Sequence, residues 1–448
     1  MLQIDPADGE VAEALLRRLG GGEPDQRGEA ARVAADLRGL GLLSQPADSP
    51  PAPAGVTAQL IRAMYRNLGW IQALPAPAGA PFRVCVGGVR PSPTALGSTT
   101  TPNGVRVVSG CAPSLAEAAL RCIAEGVERF ALQFAPVHEE RLERAVSPAG
   151  AVALDQLLPP RWEGSEPTPG AAIARYWLPA DWSSDGARHL VPAAHVLLGY
   201  PAREQEAWPA AADTNGAACG MGVEEAACRA LLEVIERDAI ALWWHGRRPA
   251  PPLDQAHLTD PWLQAAGDWL WRHGRCLWFL DLAGDLGVPV AAAVSCERDQ
   301  SRLIIGTAAG VTPAQAARGA LAEHLLMLVN LRAIEQRRPD PGSERSAAAR
   351  MLRWHLRSCA PRQPQLFPDP IAPAPAALLR GASLENLLDP VRAQGRCALF
   401  FHARGVEAPL AVVKCLVPGL ASRQRCPVAR RVSLAEPSRD PDDVAFPY

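Results

Sequence analysis

Two copies of the sequence E-x-x-E-R place carboxylates at a spacing that suits divalent cations. One copy runs from Glu125 to Arg129 and the other from Glu233 to Arg237. In a helix, residues three positions apart lie on one face, so the two glutamates of each copy lie side by side. If the two helices face each other, their carboxylates repel unless divalent cations lie between them. The four carboxylates are those of Glu125, Glu128, Glu233 and Glu236.

The second copy lies on a helix whose polar stripe is unusually narrow. Its charged residues fall within about 80° of one another, and the other positions carry mainly Ala, Leu, Val and Ile. A mostly buried helix cannot leave charges unpaired, because each would cost several kcal/mol. Arg229 lies four residues from both Glu225 and Glu233, so ion pairs within the helix are an alternative to a metal. The pattern leaves both interpretations open.

The chain contains the same kind of helix more than once. Residues 114–129 align without gaps on residues 222–237, and residues 312–331 resemble both. In this third copy, Gln315 and Glu323 stand where the second has Glu225 and Glu233. A predicted strand and a turn of small residues precede each helix. The sequence therefore predicts an α+β fold, a large mixed domain of sheets and helices with an internal pseudo-repeat.

A glycine-rich segment, Thr214–Gly222, comes directly before the second helix. We interpret it as a turn whose free N–H groups, at a helix N-terminus, would attract an anion. A glycine-rich turn alone is weak support for phosphate binding. Beside a stripe of carboxylates, it favours a site for a nucleotide phosphate and Mg²⁺.

Composition and charge exclude several other classes of protein. Among 448 residues the net charge is −2, which indicates neither a nucleic-acid nor an anionic-membrane surface. The only lysine is Lys414, so a P-loop has no lysine to use. The eleven cysteines form no C-x-x-C pair, which predicts neither a disulfide framework nor a zinc site. With no signal peptide and no membrane span expected, we predict a cytoplasmic protein.

Two regions are expected along the chain. Residues 1–75 predict a small helical N-terminal region, either a partial winged helix or a plain appendage, with a Pro/Ala linker at Gln45–Gly55. Residues 76–448 predict one large domain. Strands are expected within the segments 83–89, 104–110, 189–200, 288–296, 302–310, 396–403 and 408–419, and an extended surface segment at 361–376.

Three segments resemble the signature motifs of the YcaO-like family in order and spacing. The second and most specific combines N-G, a small-residue turn, E-A and E-x-x-E-R-D. The resemblance covers about residue 82 to the C-terminus. The segments are GCAPSLAEAALRCIAEGVERF, TNGAACGMGVEEAACRALLEVIERDAIALWW and GTAAGVTPAQAARGALAEHLL.

The resemblance implies an ATP-dependent enzyme that acts on peptide backbone amides. It implies that Mg²⁺, held by Glu125, Glu128, Glu233 and Glu236, bridges the phosphates of ATP. It also implies nucleotide contacts, and no protein residue is expected to act as the nucleophile. The implied nucleotide-binding residues are Asn215, Gly220, Glu225, Arg237 and Arg129.

The implied substrate is a ribosomally made precursor peptide, as in bacteriocin maturation. A Cys, Ser or Thr side chain would attack the preceding carbonyl carbon, and phosphorylation of the amide oxygen would lead to an azoline. A partner protein that binds the leader peptide is expected, and a homodimer is possible. The same ATP site could instead form a thioamide or an amidine. The departures Cys111 and Met221 favour a third interpretation, a non-catalytic binding subunit, whereas retention of all four carboxylates opposes it.

Overall fold

The computed structural model describes residues 67–89, 106–157, 174–201, 203, 206, 212–247, 249–337, 347–371, 379, 381–406 and 410–420. The predicted N-terminal helices and the Pro/Ala linker lie outside these residues. No helix within the described ranges combines the length and the apolar character needed to cross a bilayer.

The strands are β1 Leu68–Leu74, β2 Arg83–Val89, β3 Arg106–Ala112, β4 Glu143–Ala145, β5 Arg175–Pro179, β6 Trp182–Ser183, β7 Leu190–Pro192, β8 Ala217–Gly220, β9 Arg275–Asp281, β10 Val290–Glu297, β11 Ile304–Ala309, β12 Leu399–His402 and β13 Ala411–Leu416. The helices are α1 Leu115–Ala131, α2 Leu154–Leu157, α3 Ala193–Val196, α4 Val223–Gly246, α5 Pro261–Arg272, α6 Pro313–Arg337, α7 Ala347–Arg357 and α8 Leu384–Ala393. Short 3₁₀ helices lie at Pro136–Arg141, Gln255–His257 and Pro364–Leu366.

Antiparallel pairing builds four sheets from these strands. Their strand orders are β1-β2-β3, β4-β5-β7, β6-β12-β13-β8 and β11-β10-β9. A long helix follows one strand in each of three sheets: α1 follows β3, α4 follows β8 and α6 follows β11. The predicted α+β class and the pseudo-repeat are thus both present.

The three units close into a ring. Helix α1 packs on β3 of its own sheet and also contacts β8 of the second unit. Helix α4 packs on β8 and β13 and contacts β11 of the third unit. Helix α6 packs on β11 and β10 and contacts β3 of the first. Each repeated helix therefore lies between its own strand and that of the next unit.

Local sequence explains how these helices begin and how closely they approach the strands. The Ser114 hydroxyl accepts a hydrogen bond from the Glu117 N–H, and Thr312 does the same for Gln315, both at 3.2 Å. Such caps satisfy N–H groups that the helix itself cannot. Each first turn also carries a pair of fully buried alanines, whose small side chains let the helix lie directly on the sheet. These pairs are Ala118 and Ala119, Ala226 and Ala227, and Ala316 and Ala317.

Gly220 is required by the close approach between β8 and α4. A Cβ atom at Gly220 would lie 2.5 Å from the Ala226 backbone nitrogen, whereas one at Gly222 would meet nothing within 4 Å. We expect Gly220→Ala to lower the free energy of unfolding by about 1–3 kcal/mol, because helix and strand must separate. Gly222→Ala, two residues away, is the matched control and should change it much less. Urea unfolding of both variants measures the free energy of unfolding. Equal decreases in the two variants would contradict the argument that Gly220 is needed for close packing.

Several expectations about individual segments are corrected by the structure. Residues Ala217–Gly220, interpreted as part of a turn, form β8, whose backbone pairs with β13. Within the predicted strand 189–200, only Leu190–Pro192 is a strand, and Ala193–Val196 is a short helix. The segment 361–376 is not wholly a surface excursion, since Leu366 is fully buried.

Strand β1 bears on the predicted boundary between residues 75 and 76. It lies on the N-terminal side of that boundary and pairs along its length with β2. Leu68, at its start, is buried against α1, and a Cβ atom on Gly126 would lie 2.4 Å from its side chain. The first sheet therefore begins before residue 76.

Candidate metal and nucleotide site

The second glutamate of each E-x-x-E-R sequence reaches from its own helix to the strand of the next unit. The Cys219 N–H of β8 donates to Glu128 Oε1 at 2.7 Å. The Thr307 hydroxyl of β11 donates to Glu236 Oε1 at 2.9 Å. These contacts span 91 and 71 residues of chain and hold both carboxylates where the repeated units meet.

The first glutamate of each sequence is paired with the arginine four residues later. Glu125 lies 2.5 Å from Arg129 and also accepts the Ser109 N–H at 2.8 Å. Glu233 lies 3.0 Å from Arg237, which also lies 3.1 Å from Glu236. Ion pairs within the helices are therefore present, and they leave four carboxylates facing two guanidinium groups. Of the two pairs that the sequence offered for Arg229, the one with Glu225 forms, whereas Glu233 pairs with Arg237.

The pKa values show that the carboxylates of the two helices are close to one another. The pKa of Glu128 is raised to about 8, mainly by burial and also by the charges of Glu233 and Glu125, while the Cys219 hydrogen bond and Arg129 oppose the shift. Burial also raises the pKa of Glu233, with Glu236 adding to the effect and Arg237 opposing it. Glu128 lies on α1 and Glu233 on α4, so the charge on one helix acts on a carboxyl group of the other.

The same region holds buried donors with no acceptor. Within the described ranges, the Nε atoms of Arg129 and Arg237 are buried and make no hydrogen bond. A buried unsatisfied donor costs about 1–3 kcal/mol, so each would be stabilised by an added acceptor such as a phosphate oxygen. The excess of carboxylates requires positive charge, and oxygen ligands are those that Mg²⁺ prefers. The residues present therefore fit a magnesium–phosphate group.

Lys414 on β13 belongs to this site and was given no role by the sequence analysis. Its side chain is fully buried, and Nζ donates a hydrogen bond to the Asp213 carbonyl oxygen and lies 3.7 Å from Asp213 Oδ1. Its charge also lowers the pKa of Glu233, against the effect of burial. One sequence feature could have identified Lys414 as a candidate, because the only lysine of the chain lies within the apolar segment 409–417.

Glu323 of α6 is a second residue that the structure adds to the site. The sequence placed it as the third-copy equivalent of Glu233, with no function attached. Its charge raises the pKa of Arg237 together with the nearer Glu236 and Glu233 and against burial. It also contributes to raising the pKa of the buried Cys111 thiol, which burial alone shifts most. All three repeated helices therefore bring charge to one region.

The remaining candidate nucleotide residues lie around this cluster rather than in it. Asn215 donates its side-chain amide to Asp213 Oδ2 at 2.8 Å, so it holds the residue that contacts Lys414. Glu225 accepts the Met221 N–H at 2.8 Å and pairs with Arg229 at 2.5 Å. It precedes Glu233 by eight residues, about 12 Å along a helix. Gly220 contributes close backbone packing at the start of the same helix.

Comparison with known proteins identifies a family and similar folds. A family model described as YcaO cyclodehydratase, ATP- and Mg²⁺-binding, matches residues 109–421. A heterocyclase solved in complex with substrate and cofactor has a TM-score of 0.70 at 22% identity, over 93% of this chain and 60% of that chain. YcaO from Methanopyrus kandleri, bound with AMPPCP and Mg²⁺, has a TM-score of 0.52 at 18% identity, over 84% and 91%.

A curated relative shares detectable sequence identity over part of the chain. An uncharacterised protein of Methanothermobacter thermautotrophicus is 29% identical over 217 residues, 46% of this chain and 55% of the relative. The match therefore spans about half the length of that relative. At the identities of the two solved structures, the likeness concerns the fold.

Proposed function

The chain belongs to the YcaO family, and we propose that it binds Mg²⁺-ATP between α1 and α4 and uses it to activate a backbone amide of a peptide. The observation that carries this proposal is the link from Glu128 on α1 to Cys219 on β8, because it brings the two E-x-x-E-R helices together. Four carboxylates and two arginines with buried, unsatisfied Nε atoms then share one region.

The chain's own residues have distinct proposed roles. Glu125, Glu128, Glu233 and Glu236 hold Mg²⁺. Arg129 and Arg237 orient these carboxylates and offer their unsatisfied Nε–H groups to phosphate oxygens. When bound, Mg²⁺-ATP supplies the phosphoryl group that converts an amide oxygen into a leaving group. Catalysis therefore rests on positioning and charge neutralisation rather than on a protein nucleophile.

The residues around the acidic cluster are suited to the parts of ATP other than its phosphates. Asn215 fixes Asp213, which holds the buried ammonium group of Lys414 beside Glu233. Glu225 lies in the first turn of α4, about two turns of helix before Glu233, and Gly220 ends β8 just before this helix. We infer that this end of the site receives the nucleoside part of ATP, since the phosphates are expected beside the four carboxylates.

The proposed substrate is a ribosomally made precursor peptide with Cys, Ser or Thr in its core. The side-chain hydroxyl or thiol attacks the preceding carbonyl carbon, and the net reaction converts the amide and ATP into an azoline, ADP and phosphate. The proposal includes a partner that binds the leader peptide. It assigns docking to the part of residues 1–75 that precedes β1, and catalysis to the large domain, which comprises β1 and residues 76–448. We also propose that the reaction takes place in the cytoplasm. Two copies of the chain can form a homodimer in this proposal.

A peptide whose amide carbonyl before a Cys carries a heavy-oxygen label tests the proposal directly. With Mg²⁺-ATP, we expect the peptide to lose the mass of one water and the label to appear in the released phosphate. Exchange of oxygen for sulfur or nitrogen would identify thioamide or amidine formation at the same site. ATP binding without label transfer, in the presence of the partner, would identify a binding subunit instead.

A further inference from the structure

Three side chains able to bind a metal meet far from the proposed ATP site. Asp185 and His189 lie in the segment between β6 and β7, and Cys397 lies just before β12. One potential ligand atom from each lies within 4.8 Å of the other two. The pairing of β12 with β6 brings these segments together, although 208 residues separate His189 from Cys397.

The distances among the three side chains resemble those around a tetrahedral ion. His189 Nε2 lies 2.9 Å from Asp185 Oδ2 and 3.8 Å from Cys397 Sγ. Zinc bonds of about 2.0–2.3 Å at tetrahedral angles place neighbouring ligand atoms about 3.3–3.6 Å apart. The two distances from His189 Nε2 therefore differ from those of a tetrahedral site by a few tenths of an ångström, and all three ligand atoms lie within 4.8 Å of one another.

The same geometry argues against a catalytic relay. In a nucleophile–histidine–acid triad, the acid binds one ring nitrogen of the histidine and the nucleophile contacts the other. Here the Asp185 carboxylate and the Cys397 sulfur both lie nearest to Nε2 of His189. Three ligand atoms that converge in this way suit a shared cation.

Neighbouring groups hold the Asp185 and Cys397 side chains in place. The Ser183 hydroxyl and the Ala187 N–H donate to Asp185 Oδ1 at 2.8 and 3.0 Å. The Ser184 hydroxyl donates to the Cys397 sulfur at 3.5 Å and accepts the Ala398 N–H at 2.9 Å. Such outer contacts orient ligands in metal sites. The Asp185 side chain is 46% exposed, so an ion can reach the cluster from solvent.

We propose that Asp185, His189 and Cys397 bind one Zn²⁺ ion, with water as the fourth ligand. Thiolate, imidazole and carboxylate are the ligand types that zinc takes, and three protein ligands leave one position open. Binding breaks the Cys397 S–H bond, forms a Zn–S bond and releases one proton to solvent. This proposal differs from the expectation of no zinc site, which was based on the absence of C-x-x-C, because the fold brings these three ligands together from distant segments.

The proposed ion would tie two sheets together. It would join the segment leading to β7, in the β4-β5-β7 sheet, to the start of β12, in the β6-β12-β13-β8 sheet. Cys219, the partner of Glu128, lies on β8 at the opposite edge of the latter sheet. Strand β12, which follows Cys397, lies two strand spacings of about 4.8 Å from β8, and β6, which precedes Asp185, lies three. The proposed zinc site and the link between Glu128 and Cys219 therefore lie on different strands of this sheet.

Titration of the metal-free, reduced full chain with Co²⁺ tests the proposal. We expect a thiolate-to-cobalt charge-transfer band that saturates at one equivalent and is displaced by Zn²⁺. Cys397→Ser and His189→Gln should each abolish the band. Cys359→Ser, which removes another half-buried thiol, is the matched control and should retain it. Glu128→Gln should also retain it, because a carboxylate site gives no thiolate band.

Two results would overturn the proposal. One is the absence of the band in the unchanged chain, and the other is a band of full intensity in Cys397→Ser. Circular dichroism separates loss of the band from loss of the fold. If Cys397→Ser does not fold, His189→Gln supplies the same comparison without changing a cysteine.

Discussion

Glu233→Gln combined with Glu236→Gln is expected to lower the affinity for Mg²⁺-ATP by roughly 100- to 10,000-fold. Each substitution removes a charged ligand, and interactions with charged groups contribute about 1.5–3 kcal/mol each. Glutamine keeps a carbonyl oxygen that can still accept from Thr307 and from Arg237, so the fold should be retained. Isothermal titration of ATP into the protein at constant Mg²⁺ measures the change.

A matched control removes the same two charges from an exposed helix. Glu385→Gln with Asp389→Asn alters α8, where the two side chains are 72% and 69% exposed. We expect this variant to bind Mg²⁺-ATP as the unchanged chain does. An unchanged affinity for Mg²⁺-ATP in the Glu233 and Glu236 variant would contradict the proposed metal site. Equal losses of affinity in both variants would mean that the effect comes from the change in net charge alone.

The repeated helices could be predicted because their signals are local. These signals fall within about 16 consecutive residues of a copy. All three copies carry the buried alanines, the first and third carry capping side chains, and the first and second carry E-x-x-E-R. The structure places a helix at each of the three segments, at Leu115–Ala131, Val223–Gly246 and Pro313–Arg337. Charge alone predicts only that a buried acidic stripe needs compensation. The arrangement of the carboxylates of two helices around one metal site is what the family resemblance implies.

Features that depend on distant pairing could not be predicted in the same way. Residues Ala217–Gly220 become a strand because β13, almost 200 residues later, supplies hydrogen-bonding partners for them. That register also carries Lys414 opposite Ala217, and so toward Asp213 and Glu233. The amino-acid spacing in a single segment contains no information about this register. The same reason hides the convergence of Asp185, His189 and Cys397.

The closed arrangement of three units explains why the charges meet. If α1, α4 and α6 each lay only on their own sheets, the E-x-x-E-R carboxylates would remain separate pairs. Because each helix also contacts the strand of the next unit, Glu128 reaches β8 and Glu236 reaches β11. Glu323 of α6 adds a further negative charge to this region, although α6 has no E-x-x-E sequence. The acidic cluster is therefore a property of the ring of units.

Without Mg²⁺, the free energy of unfolding is expected to fall by about 2–4 kcal/mol as pH rises from about 5 to about 9. The Glu128 carboxyl has a reference pKa of 4.5, and burial raises it to about 8 in the folded chain. Between these values the folded chain keeps a proton that the unfolded chain has released, so a higher pH favours unfolding. The full shift is discounted because Glu128 is only half-buried. Urea unfolding in EDTA across this pH range measures the slope.

Glu128→Gln should make this pH dependence much weaker, because glutamine cannot titrate while its oxygen can still accept the Cys219 N–H. Glu140→Gln, on an exposed residue, is the matched control and should retain the full slope. Mg²⁺ with ATP should restore stability above pH 8, since a bound cation replaces the proton as the partner of the carboxylates. A slope that survives in Glu128→Gln would mean that another group titrates in this pH range and that the Glu128 carboxyl does not carry the raised pKa.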